Sequence, residues 1–108
     1  MNAIILAAGF GTRLRPLTDN IPKSLLPLGR NFVIDEQARA LFAVKDINKI
    51  YIITNNRFYK IFENWRVQSG LKGRVVIFNN GVNKEKERLG AIGDLSFVLK
   101  RISPSDVL

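Results

Sequence analysis

Three short apolar runs govern what this chain can fold into: AIILAA at residues 3 to 8, KIYIIT at 49 to 54 and RVVIF at 74 to 78. Their β-branched and aromatic content suits strands. The lack of strict apolar–polar alternation suits strands buried on both faces at the centre of a sheet. Between the runs the period changes. Ile34, Ala38, Leu41 and Phe42 recur at i, i+4, i+7 and i+8, the stripe of a helix buried on one face. Phe58, Ile61, Phe62 and Trp65 form a second such stripe, which makes these aromatics core residues, and Thr54 to Asn56 offer capping side chains in front of it. Ile92, Leu95 and Leu99 share a face of a third helix expected over about 89 to 101. The Asn79-Asn80-Gly81 turn and the charged NKEKER run fall in the loop before that helix. Strand and helix in regular alternation predict an α/β fold, with a parallel sheet joined by right-handed crossovers and helices on its faces.

The chain has 108 residues, the size of one domain, and shows no repeat, low-complexity tract or linker that would divide it. No apolar run reaches the roughly 20 residues that cross a bilayer, and the opening segment lacks the basic start of a signal peptide, so a cytoplasmic protein is expected. Cysteine and histidine are both absent, which removes disulfides, thiolate metal sites and the most common general base. Seventeen Lys and Arg against nine Asp and Glu leave a formal charge of +8, which favours anionic partners. Nucleic acid is a poor fit, because the aromatics fall on the expected core faces instead of interleaving with the cations.

The first strand runs into ILAAGFGTRLRPLTDNIPKSLLPLG, residues 5 to 29. Gly9 and Gly11 let the backbone approach a ligand closely and aim N–H groups at it, at the carboxyl end of a parallel strand, where open α/β sheets bind ligands. Arg13 adds a planar fork of donors suited to phosphate oxygens, and Lys23 adds a compact point charge. Arg15 and Arg30 read as solvated surface charges. Two familiar phosphate loops are excluded: no G-x-x-x-x-G-K-[ST] occurs, and Leu14 stands where the third glycine of G-x-G-x-x-G belongs.

The extended string L-A-A-G-x-G-T-R-L-x-P-L-T, followed by Pro22-Lys23 and LLPLG, closely resembles the amino-terminal signature of the sugar-1-phosphate nucleotidyltransferases. RLGAIGDL, residues 88 to 95, resembles that family's glycine-containing nucleobase segment. The resemblance implies a three-layer αβα Rossmann-like nucleotide-diphospho-sugar transferase fold, here cut after its first four strands, the fourth a stub at Asp106 to Leu108. Residues 1–108 would be the amino-terminal nucleotide-binding part of a single nucleotidyltransferase domain. The backbone around Leu6, Ala8 and Gly9 would contact base and sugar, and Gly11 and Thr12 would cradle phosphates. Arg13 would neutralise the departing pyrophosphate, Lys23 would lie against the α-phosphate and the incoming phosphate, and Gly90 would help close over the base. The implied substrates are a nucleoside triphosphate and a sugar 1-phosphate.

The family's magnesium ligand, an aspartate in a Gly-Asp pair, is expected beyond Leu108; Asp94 and Asp106 do not match its position. The 108 residues alone are therefore expected to show little transferase activity. Asn31 to Asp35 also departs from the family's Gly-Lys-Pro start to the first helix, and Asp35 and Glu36 read as residues that favour a helix dipole and not as catalysts. Two further readings stay open: an enzyme like the choline-phosphate cytidylyltransferases, which share much of the opening motif, and a non-catalytic nucleotide-binding or regulatory module. A cut sheet would expose a strand edge through which copies of the chain could pair.

Overall fold

A computed structural model describes residues 1–9, 21–84 and 90–102. Three strands, β1 (Asn2–Leu6), β4 (Lys49–Thr54) and β5 (Val75–Asn79), form a parallel sheet in the order β1-β4-β5. Ala3 pairs with Ile50 and Ile50 with Val75; one step on, Ile5 pairs with Ile52 and Ile52 with Ile77. Side chains alternate across a strand, so these residues share one face. Helices α1 (Val33–Phe42) and α2 (Tyr59–Gln68) cover it, burying Ile34, Ala38, Phe58, Phe62 and Trp65 against Ala3, Ile50, Ile52, Val75 and Ile77. Helix α3 (Gly90–Leu99) packs on the other face, where Val98 and Ile53 are both fully buried. The αβα layering expected from the sequence is present.

Several details differ from the sequence expectation. Only β4 has a strand on both sides among the described residues, and β1 opens toward its carboxyl end, where Leu6 is 43% exposed. β1 ends at Leu6 instead of residue 8: Ala7 still donates to the Ile53 carbonyl at 2.8 Å, and the chain then leaves the sheet toward the glycine turn. A small hairpin, β2 (Pro27–Leu28) with β3 (Asn31–Phe32), was not legible as strands; Gly29 opens its two-residue loop at φ 64°, as such a loop requires. The expected stripe on α3 is wrong. Ile92 is 87% exposed and Leu95 38% exposed, while Asp94 and Val98 turn toward the sheet. GAIGDLSFVL is apolar around most of its circumference, so several stripes satisfy helical spacing and periodicity cannot choose among them. The stub expected at Asp106 to Leu108 lies outside the described residues.

The other two helices start as their sequences direct. Asp35 accepts the Phe32 N–H at 2.8 Å, closing the first turn of α1, and its other oxygen accepts the indole N–H of Trp65 at 2.9 Å. One carboxylate therefore caps α1 and ties it to α2. Asn55, among the residues expected to cap α2, accepts the Phe58 N–H at 3.0 Å. Arg74 donates to the carbonyls of Ile47 and Asn48 and lies 3.8 Å over the Phe42 ring, pinning the turn between α1 and β4 to β5.

Candidate functional site

All three parallel strands point their carboxyl ends to one edge, and a lattice of asparagines builds that edge. Asn80 donates its backbone N–H to the Thr54 carbonyl, and Asn56 to the Val82 carbonyl, both at 2.9 Å, so the segment after β5 runs on alongside the segment after β4. The Asn79 amide donates to Asn56 Oδ1 at 2.9 Å, and the Asn56 amide to Asn83 Oδ1 at 2.6 Å. Asn79 Oδ1 accepts the Gly81 N–H at 2.8 Å in an Asx turn, with Gly81 at φ 82°. The turn expected at Asn79-Asn80-Gly81 is therefore present, and its side chains do more than turn the chain. Asparagine has both donor and acceptor capacity and is neutral, so it can satisfy backbone groups at a ligand edge without adding charge.

Asn55 reaches furthest. It is fully buried, and besides holding the start of α2 it donates from Nδ2 to the Ala8 carbonyl at 3.1 Å. The glycine turn after β1 is thereby tied to the end of β4, 47 residues away.

Above this edge lies a cleft of about 370 Å³ lined by Leu6, Ala8, Gly9, Gly90, Ala91 and Asp94. Four residues singled out in the sequence, Leu6, Ala8, Gly9 and Gly90, converge on it from opposite ends of the chain. A smaller cleft of about 100 Å³ shares Leu6 and Gly9 with it and is completed by Ala7, Pro22, Lys23 and Ser24. Lys23 opens a single turn of 3-10 helix over Lys23–Leu25, in which Leu25 donates to the Pro22 carbonyl at 2.9 Å; Ser24 and Leu25 are buried beneath, leaving the lysine exposed at the rim. Gly11, Thr12 and Arg13 lie outside the described residues.

A Cβ on Gly9 would meet no atom of the described residues within 4 Å, so open space lies beside it. Gly90 sits at φ 75°, where other side chains strain the backbone. Asp94 and Asn80 are the site residues that sequence reasoning missed. Asp94 is 7% exposed and accepts a hydrogen bond from the Asn80 amide at 2.9 Å. Its sequence signals were its place in the RLGAIGDL segment and its being the sole charge in an otherwise apolar helix. Among the described residues no three Asp or Glu side chains gather as a metal site.

The sequence profile described as Nucleotidyl transferase matches residues 2–99. The chain is 40% identical over 83 residues to a choline-phosphate cytidylyltransferase of Streptococcus pneumoniae, covering 74% of this chain and 36% of the relative. It is 37% identical over 98 residues to a mannose-1-phosphate guanyltransferase of Neurospora crassa, covering 88% of this chain and 25% of the relative. A solved structure of the CTP:phosphocholine cytidylyltransferase from Streptococcus pneumoniae superposes with a TM-score of 0.73 at 33% identity, over 98% of this chain and 42% of that one. The chain thus spans a quarter to little more than a third of the length of these two curated relatives. With the profile extending from the first strand through the helix that carries Gly90 and Asp94, this chain belongs to the nucleotidyl transferase family.

Proposed function

We propose that these residues form the amino-terminal, nucleotide-binding part of an enzyme that transfers a nucleoside monophosphate from a nucleoside triphosphate to a sugar 1-phosphate, releasing pyrophosphate. The observation that carries the reading is the convergence of Leu6, Ala8, Gly9 and Gly90 on one cleft, with Lys23 on the cleft that adjoins it. Family membership and the excess of seventeen cations over nine anions support it. A choline-phosphate acceptor is the second reading, favoured by the identity to the pneumococcal cytidylyltransferase.

The chemistry asks little of acid–base groups. The second ionisation of a phosphate monoester lies at about pH 6, so the acceptor's phosphate oxygen is already a nucleophile at neutral pH. In-line attack on the α-phosphorus forms one P–O bond and breaks another, and the bond electrons leave with pyrophosphate. Catalysis then consists of aligning two mutually repelling anions and stabilising the charge as it moves. In this reading the backbone at Leu6 to Gly9 and at Gly90 brackets the base and ribose. Gly11 and Thr12 cradle phosphates, Arg13 meets the leaving pyrophosphate, and Lys23 offsets charge between the α-phosphate and the acceptor. Magnesium accompanying the triphosphate, a cytoplasmic location and pairing of copies through an exposed sheet edge complete the proposal.

Calorimetric titration with nucleoside triphosphates tests it. Lys23→Ala should leave the fold intact, because the side chain is exposed, and should weaken triphosphate binding about tenfold or more, the effect of losing a charge-assisted contact. Unchanged affinity in that variant, or no triphosphate binding by the native chain, would refute the assignment.

A further inference from the structure

We propose that Asp94 selects the nucleobase and that the base it selects is guanine. The inference rests on the nucleotide-site reading above and adds to it the identity of the base.

The amide that meets the carboxylate is held in one orientation. Asn80 Oδ1 accepts the Val82 backbone N–H at 2.9 Å, which leaves its Nδ2 to donate to Asp94 Oδ1 at 2.9 Å. Turning the amide over would break both bonds. Asp94 is more than nine-tenths buried, yet it lines the 370 Å³ cleft beside Leu6, Ala8, Gly9, Gly90 and Ala91. Among the described residues it has no ion pair and no hydrogen bond beyond the one from Asn80. An ionised carboxylate offers about four acceptor positions, of which the Asn80 bond fills one. Because Asp94 lines the cleft, a ligand that brings donors to it is the natural complement.

The bases differ in the donors they can bring. Guanine presents N1–H and an N2 amino hydrogen side by side, spaced to meet the two oxygens of one carboxylate. Adenine and cytosine each present one amino group next to a ring nitrogen whose lone pair faces the carboxylate. Uracil and thymine present one N–H between two carbonyl oxygens, which repel it on both sides. Only guanine can fill the free positions of Asp94 with two charge-assisted bonds, and such paired bonds are the stronger and more specific kind. A site built around a donor discriminates sharply against an analogue that lacks it, because its own buried group is then left unpaired. The cleft is at the small end of ligand pockets, large enough for a base and its ribose.

The test is calorimetric titration of the native chain with GTP, ITP, ATP, CTP and UTP, repeated with Asp94→Asn. ITP is guanine's analogue without the 2-amino group. GTP is expected to bind about tenfold or more tighter than ITP, and tighter still than the other three. In Asp94→Asn the affinities for GTP and ITP should converge, since the amide keeps the shape and loses the paired acceptors. Equal affinity for GTP and ITP in the native chain would overturn the inference, whether or not the variant folds. So would a uniform loss for all five nucleotides in Asp94→Asn, which is what a purely structural bond to Asn80 predicts. No binding of any nucleotide would overturn the nucleotide site itself, an outcome distinct from binding without base preference.

Discussion

Replacing Asn55 by alanine should destabilise the whole sheet edge, and the size of the effect follows from two hydrogen bonds. Asn55 donates to the Ala8 carbonyl at 3.1 Å and accepts the Phe58 N–H at 3.0 Å. Ala8 is 4% exposed and Phe58 1% exposed, so neither orphaned group can turn to bulk water. An unsatisfied buried backbone group costs about 1–3 kcal/mol, which puts the pair at about 2–6 kcal/mol. Against the ~5–15 kcal/mol that holds a domain of this size together, that is a large fraction. The melting temperature should fall by about 10–25 °C. Urea unfolding followed by the fluorescence of Trp65, the one tryptophan in the chain, reads this directly. Asn55→Asp separates the two bonds: it keeps an acceptor for Phe58 but sets a carboxylate oxygen against the Ala8 carbonyl oxygen, so it should be at least as damaging. A loss below about 1 kcal/mol in Asn55→Ala, or a well-tolerated Asn55→Asp, would refute the claim that this side chain joins the glycine turn to β4.

Two further substitutions probe the same framework. Thr54 is fully buried and its hydroxyl has no hydrogen-bond partner among the described residues; Thr54→Val, which keeps the shape, should raise stability by about 1 kcal/mol, and a clear loss in chemical denaturation would mean that the hydroxyl is satisfied. Asp35→Ala removes the acceptor for both the Phe32 N–H and the Trp65 indole N–H; it should cost about 2–3 kcal/mol and shift the tryptophan emission, whereas Asp35→Asn, which keeps an acceptor oxygen, should recover part of that loss.

The sequence was most legible where chemistry is local. Apolar runs and stripes located β1, β4, β5, α1 and α2 to within about two residues, because strand and helix periods are properties of neighbouring positions. Leu6, Ala8, Gly9 and Gly90 were legible as a group through the resemblance of their surrounding motifs, and all four line one cleft. What stayed hidden were bonds between distant side chains and backbone. Asn55 could be read as a cap for α2, but nothing near it in the chain indicates that its other end holds Ala8. Asp94 was read only against the metal position and set aside; its meeting with Asn80 comes from the way α3 lies on the sheet, the one helix whose apolar pattern admits several orientations. Gly11, Thr12 and Arg13, the remaining members of the phosphate motif, lie outside the described residues.

The bond between Asn80 and Asp94 also bears on how this protein would age. An asparagine followed by glycine is the dipeptide most prone to lose its amide, because an unhindered glycine nitrogen attacks the side-chain carbonyl. Here Gly81 follows Asn80, but the Gly81 N–H is held by Asn79 Oδ1 and both ends of the Asn80 amide are engaged. The fold thus keeps the reacting groups occupied while it is intact. Each local opening of the turn would expose them, and a single deamidation would set a second carboxylate against Asp94, where a 2.9 Å hydrogen bond had been. Two like charges at that distance repel. The chemical lifetime of the cleft wall that carries Asp94 is therefore tied to how seldom the turn after β5 opens, and a bound ligand that held the turn closed would also slow its decay.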